Sequence, residues 1–285
     1  MRSNNDFEEA ETYKLPVPVL AQHRQDSGPR EYDPAWDALR SAIDYHLLRD
    51  ASLPSYHAPL GQPRRVLDIG CDTGQWAVEM AMTFPNALVV GIDQVVAPAA
   101  HARMQGNCQF VAGDYLTGLP FANGTFDYTH LKLLAPVVPI NQWYAVLREA
   151  LRVTRADGWV EVTEMALPQI SHPIVWIWMA KVGRSFGYEL FPGKALERWL
   201  DHLGARAIVL DELRLQHRSD YATTTQMMIS EGIALLEAFR ENILAQGLCQ
   251  PFEIDHELRM MEHNLLRTDR EDALPLITAW CQPAT

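Results

Sequence analysis

From Arg65 onward, short apolar runs alternate with stretches whose apolar residues recur at helical spacing. Arg65 to Gly70 (RVLDIG) reads as a strand that ends in glycine. Gln75 to Phe84 reads as a helix with Trp76, Met80 and Phe84 on one face. Ala87 to Ile92 is a second strand, and a short helical stretch follows around Val96 to Met104. Cys108 to Ala112 and Thr125 to Leu131 are the third and fourth strands. Asn141 to Val153 is a helix that turns Trp143, Leu147 and Leu151 inward, and an Asp157-Gly158 turn leads into a fifth strand, Trp159 to Glu164. Such alternation predicts βαβ units and a parallel sheet covered on both faces. Ligands of such sheets bind beyond the carboxyl ends of the strands, so functional residues are expected just after each strand.

The pattern is less regular on either side. Ser171 to Phe186 is a nearly all-apolar helix, and Ala195 to Leu203 is another. Ala207 to Leu215 reads as a strand, Thr223 to Leu244 and Glu253 to Leu266 as helices, and Leu274 to Cys281 as a final strand. Upstream, residues 1 to 34 are polar and punctuated by Pro16, Pro18, Gly28, Pro29 and Pro34. Trp36 to Leu48 then has helical spacing, and Leu53 to Pro63 is a proline-rich loop. The expected organisation is an N-terminal arm and helix over 1–60, forming part of a substrate lid, and one main domain over 61–285. That domain carries helical insertions at about 165–194 and 223–266.

Composition narrows the classes. The 285 residues are 48% hydrophobic, enough for a sizeable core. The net charge of -12 and the lack of a basic run argue against nucleic acid as a partner. Cys71, Cys108, Cys249 and Cys281 form no CxxC pair, so no metal site or disulfide framework is expected, and a reducing cytoplasm fits. Met1 to Lys14 has no apolar signal core, and Pro173 to Ala180 falls far short of the ~20 residues needed to span a bilayer, so no membrane span is expected. Oligomeric state stays open, a homodimer included.

The chemistry concentrates in Val66-Leu67-Asp68-Ile69-Gly70-Cys71-Asp72-Thr73-Gly74. A strand, a glycine turn and a helix in succession let a ligand approach backbone N–H groups. A dinucleotide fingerprint would need glycine where Asp72 and Gln75 stand. An acidic turn also repels a pyrophosphate, whereas S-adenosylmethionine (SAM) carries an amino-acid end, a sulfonium and no phosphate. Asp93 follows the second strand, where a carboxylate can accept both hydroxyls of a ribose. Asp114 follows the third, where it can accept from an exocyclic amine with Tyr115 packing beside the ring. Taken singly, Asp93 is equally a helix cap and Asp114 a turn residue.

Four stretches, VLDIGCDTG, GIDQ, VAGDYLTGLPFANGTFDYTHL and LREALRVTRADGWVEVTE, together resemble the class I SAM-dependent methyltransferases, in particular the quinone-biosynthesis and natural-product enzymes. The resemblance implies a Rossmann-like α/β fold: a seven-stranded, mostly parallel sheet with helices on both faces, the last strand inserted antiparallel. It also implies SAM as cofactor. Asp68, Gly70, Cys71 and Gly74 would surround its methionine end, Asp93 and Gln94 the ribose, and Asp114 and Tyr115 the adenine. His130 would lie near the transferable methyl group. Two departures stand out: Asp72 replaces the usual middle glycine, and Ala156-Asp157-Gly158 the usual Pro-Gly-Gly turn.

No catalytic residue is evident, because displacement at a sulfonium chiefly needs alignment and exclusion of water. His130, Glu164 and His172 are the candidates if the acceptor must lose a proton, each equally readable as a structural group. Trp176 and Met179 on the apolar helix are candidates for contact with substrate, or plain core. The expected activity is methyl transfer to a small, partly apolar molecule in specialised metabolism. A protein methyltransferase, a non-catalytic SAM-binding regulator and an NAD-dependent oxidoreductase are the alternatives.

Overall fold

The computed structural model describes residues 55–96, 100, 106–167, 173–216, 222–265 and 273–284. Seven strands form one sheet: β1 (Arg65–Ile69), β2 (Leu88–Asp93), β3 (Cys108–Ala112), β4 (Phe126–Lys132), β5 (Thr154–Met165), β6 (Arg206–Gln216) and β7 (Ala273–Gln282). Their spatial order is β3-β2-β1-β4-β5-β7-β6. The first five run parallel, and β7 lies antiparallel between β5 and β6. This is the Rossmann-like sheet with an inserted final strand that the motifs imply. The chain reverses its direction of winding at β1, so the ends of β1 and β4 border a crevice.

Side chains alternate between the two faces of the sheet. Leu67, Ile69, Val90, Ile92, Leu131, Val160 and Val162 face one way, onto Trp143 and Leu147 of α2 (Trp143–Val153) and Trp199 of α4 (Leu196–His202). Leu147 is wholly buried, a burial that stabilises by about 1.5–3 kcal/mol. Val66, Val89, Cys108, Phe110 and Tyr128 face the other way, onto Ala77, Met80 and Ala81 of α1 (Gln75–Thr83). A third apolar cluster lies at the ends of β5 and β7. There Met165 and Leu276 meet Trp176 and Met179 of α3 (Pro173–Ser185), Phe239 of α5 (Ala222–Ala245) and Ile254 of α6 (Pro251–Leu265). Among the described residues no helix is long and apolar enough to cross a membrane.

The helix expected over 195–203 forms as α4, with a 3-10 turn, Gly193–Ala195, ahead of it. One local expectation is corrected. The turn expected at Asp157-Gly158 is a bulge inside a longer β5: Phe126 pairs with Thr154 and Tyr128 with Trp159, which leaves 155–158 outside the ladder. Arg155 holds the bulge by pairing with both Asp127 and Asp157. Gly158 is required for contact, since a Cβ there would stand 2.6 Å from the Asp127 carbonyl oxygen. The first 54 residues and most of the stretch around Val96 to Met104 lie outside the described residues, as does His172.

Candidate cofactor and acceptor site

The turn after β1 is the first part of the site. Gly70, Asp72 and Gly74 all have positive φ, at 71°, 47° and 75°. Aspartate tolerates this left-handed region better than most residues, at ~1–2 kcal/mol relative to an unstrained conformation. The strain at Asp72 is offset locally, because its backbone N–H donates to Asp93 Oδ2 at 2.9 Å. Gly70 and Cys71 donate their N–H groups to the Ile92 carbonyl at 2.8 and 3.3 Å. The glycine turn is thus stitched to the end of β2. At Gly74, which caps α1, a Cβ would overlap the Phe110 ring. At Gly70 it would overlap Leu134. The close approach expected at these glycines is made here by the protein's own side chains.

Asp93, Gln94, Asp114 and Tyr115 are all buried, and Asp93 also accepts the Gln94 N–H at 2.7 Å. Asp114 Oδ1 accepts from the Leu116 N–H at 3.0 Å and from Gln94 Nε2 at 3.3 Å. Gln94 and Asp114 therefore link the ends of β2 and β3, which lie side by side. The Gln94 Oε1 atom is buried with no hydrogen-bond partner among the described residues. A buried acceptor of this kind costs about 1–3 kcal/mol unless a donor reaches it. Tyr115 packs into the core cluster beneath β1 and β2.

Register places Asp68 beside His130, His130 beside Glu161, and Glu161 beside Trp280, so these four side chains form a row on one face. His130 Nδ1 and Asp68 Oδ1 are 2.9 Å apart, both groups buried. Trp76 from α1 stacks on the imidazole with ring centroids 3.7 Å apart and planes 8° from parallel. The indole N–H donates to the Ser55 carbonyl at 2.8 Å. The Asp68 carboxylate expected at the methionine end is thus engaged with His130, and His130 is roofed by Trp76.

Glu161 is the member of the row that sequence reasoning missed, together with Trp76 and His57. It is 1% exposed. Oε2 accepts the backbone N–H groups of His57 and Ala58, each at 2.8 Å, and Oε1 lies 3.2 Å from His57 Nδ1. Burial alone would raise the Glu161 carboxyl; the His57 hydrogen bond, the His130 ring and the two N–H donors outweigh it, and the group is held below its ordinary value. Burial likewise opposes charge on His57, but Glu161 and Asp211 prevail and its imidazole is raised. Burial first, then Glu161, keeps the Tyr128 phenol protonated. A signal for Glu161 did exist: it is a charge at an alternating position in the otherwise apolar run Trp159-Val160-Glu161-Val162. Nothing local marks His57, whose loop pairs with a strand a hundred residues away.

Glu164 is also buried and accepts the Leu134 N–H at 2.6 Å, fixing the loop after β4 that lays Leu134 against Gly70. Trp176 and Met179 lie in the third cluster, where Trp176 meets Phe191 edge-on at 6.0 Å. The Trp176 indole N–H is buried without a hydrogen-bond partner among the described residues. Burial pushes the Cys108 and Cys281 thiols up to about 11 and about 12, so neither is a nucleophile at neutral pH. Among the described residues no group of His, Cys, Asp and Glu is placed to hold a metal ion.

Comparison with known proteins bears on this arrangement. Residues 66–158 match a family described as a methyltransferase domain. The chain is 33% identical over 106 residues to methyltransferase str3 of Strobilurus tenacellus, covering 37% of each protein. It is 32% identical over 110 residues to the protein-methionine methyltransferase laeA of Emericella nidulans, covering 38% of this chain and 28% of that protein. The likeness therefore spans little more than a third of the first relative's length and less than a third of the second's. Among solved structures, phosphoethanolamine N-methyltransferase 2 of Haemonchus contortus, in complex with S-adenosylhomocysteine, aligns over 94% of this chain and 60% of its own. The TM-score is 0.53 and the identity 14%. Residues 66–158 thus match a methyltransferase domain, and the chain has the fold of the class I SAM-dependent methyltransferases.

Proposed function

We propose that this protein transfers a methyl group from SAM to a small, partly apolar acceptor in specialised metabolism, and that it works in the cytoplasm. The observation that carries the cofactor assignment is the set of buried polar groups at three successive strand ends, Asp68, Asp93 with Gln94, and Asp114, with Gln94 Oε1 still lacking a donor. Those groups fit SAM: Asp93 and Gln94 at the ribose, Asp114 and Tyr115 at the adenine, and Asp68, Gly70, Cys71 and Gly74 at the methionine end. SAM supplies an electrophilic methyl on a sulfonium, a good leaving group that needs no metal. What the chain supplies is placement. The stitched turn between β1 and β2 holds one end of the ligand, and Glu164 holds Leu134 over Gly70 beside the crevice. Apolar walls from α3 exclude water, which suits direct displacement.

On the acceptor side we place the third cluster, where Trp176, Met179 and Phe239 pack together under α3, α5 and α6. These residues favour an apolar body, and the unpartnered Trp176 N–H favours one oxygen or nitrogen acceptor on it. An N-terminal arm over 1–60 that forms part of a substrate lid belongs to this reading, and Ser55, where the described residues begin, accepts the Trp76 indole N–H. The str3 relative is named as a methyltransferase, which supports methyl transfer. The laeA relative's name supports a second reading, methylation of a protein side chain. Titration calorimetry with SAM should give binding in the micromolar range, and transfer of labelled methyl to apolar phenols or acids against peptide pools should separate the readings. Absence of SAM binding would sink both.

A further inference from the structure

The Ser55–Leu60 segment is held far more firmly than a proline-rich loop requires. Glu161 lies in mid-strand, buried beside two other polar residues, and a lone carboxylate there costs several kcal/mol unless its oxygens are occupied. Both are occupied, and by one short segment: the His57 and Ala58 N–H groups on Oε2, and the His57 ring on Oε1. The His57 ring also stacks on Trp280, centroids 5.7 Å apart, and its Nε2 lies 3.8 Å from Asp211 Oδ2 on β6. Tyr56 packs against Phe84 and Tyr128.

The other end of the segment grips α1. Ser55 Oγ donates to Glu79, and the Ser55 carbonyl accepts from the Trp76 indole. Trp76 is in the first turn of that helix, directly after Gly74 and Gln75, and lies flat on His130. One continuous set of contacts therefore runs from Glu161 on β5, through His57 and Ser55, to Trp76 at the turn after β1 and back to the sheet at His130 and Asp68.

We propose that Glu161 and His57 are positioning residues: they clasp Ser55–Leu60 onto the sheet, and through Ser55 and Trp76 the clasp holds the Gly70–Gly74 turn in its ligand-binding shape. The effect on affinity rests on that turn being the SAM site. The clasp itself does not.

The test uses the full chain with Glu161→Gln, His57→Ala and His57→Asn, read by hydrogen exchange and by titration with S-adenosylhomocysteine. Glu161→Gln and His57→Ala should speed exchange at 55–60 and in the first turn of α1 by about tenfold or more, with β1 and β4 still protected. Both should weaken S-adenosylhomocysteine about tenfold, and His57→Asn, whose amide can donate where Nδ1 does, should restore much of each effect. Unchanged exchange at 55–60, or acceleration shared equally by all strands, overturns the clasp. Faster exchange with unaltered affinity overturns the positioning role. If the wild type binds no S-adenosylhomocysteine, the SAM assignment fails, and exchange in the first turn of α1 still decides whether the clasp holds the turn.

Discussion

Trp76 lies flat on His130, ring centroids 3.7 Å apart, while the far side of the row is held by Asp68 at 2.9 Å. The histidine that motif reasoning places near a transferable methyl group is thereby covered on one face and hydrogen-bonded at one nitrogen. Trp76→Ala should expose it and raise its reactivity toward diethyl pyrocarbonate severalfold, read by peptide mass mapping. Trp76→Phe, which keeps a stacking ring but loses the indole N–H, should leave it shielded. Equal reactivity in all three proteins would show that the stack does not cover His130.

Asp93 ties the glycine turn to β2 through the Asp72 N–H and accepts from Gln94 as well. Asp93→Ala should cost about 1–3 kcal/mol of stability, since buried donors lose their partner. It should also weaken SAM by tenfold or more. Asp93→Asn keeps one acceptor oxygen and should recover more stability than affinity, because one oxygen cannot serve turn and ribose together. Thermal unfolding and calorimetry on the two variants separate these effects.

The charged pair in the clasp sets a pH window. His57 is raised above its ordinary 6.5, so its contribution is complete below that value and is lost as pH rises through the folded-state value. Glu161 is lowered below its ordinary 4.5, so its contribution is complete above that value and is lost as pH falls through the folded-state value. His57 faces Asp211 as well as Glu161, and Glu161 also faces His130, so both neighbours reinforce the same signs. Protection of the 55–60 amides, corrected for intrinsic exchange, should peak between about pH 4.5 and 6.5 and decline on both sides. The His57 ring protons should titrate above the ordinary value by NMR, and the titration should move down in Glu161→Gln, where burial loses its main opponent.

Gly158 sits where a Cβ would meet a backbone oxygen at 2.6 Å. Gly158→Ala must shift the β5 bulge and should cost about 1–3 kcal/mol in thermal unfolding. Ala156, which differs from the family's usual turn, is outside the ladder, and Ala156→Pro should change little; Asp157→Gly removes an exposed partner of Arg155 and should cost less than about 1 kcal/mol.

Trp176 tests the acceptor side. Trp176→Phe removes the indole N–H together with part of the ring and should raise the acceptor's KM severalfold with kcat and SAM affinity nearly unchanged, the mark of lost ground-state binding. A change confined to thermal stability would return Trp176 to the core.

The amino-acid order by itself determined the strand and helix alternation, the parallel sheet with its inserted last strand, and the strand-end residues Asp68, Asp93 and Asp114. These are local signals: apolar period, glycine at a turn, a carboxylate after a strand. It could also name Gly70 and Gly74, but not what approaches them, because Leu134 comes from the loop after β4 and Phe110 from β3. Asp72 stands out in the sequence only as a departure from the usual glycine; its N–H bond to Asp93 exists only once β1 and β2 lie side by side. The pairing of Glu161 with His57 was decided by tertiary structure alone. Their partnership joins residues 104 positions apart, and no periodicity encodes it. A buried carboxylate in a strand is intelligible only when the groups that fill its lone pairs can be seen, and those arrive from a loop whose own sequence reads as nothing more than proline and polar residues.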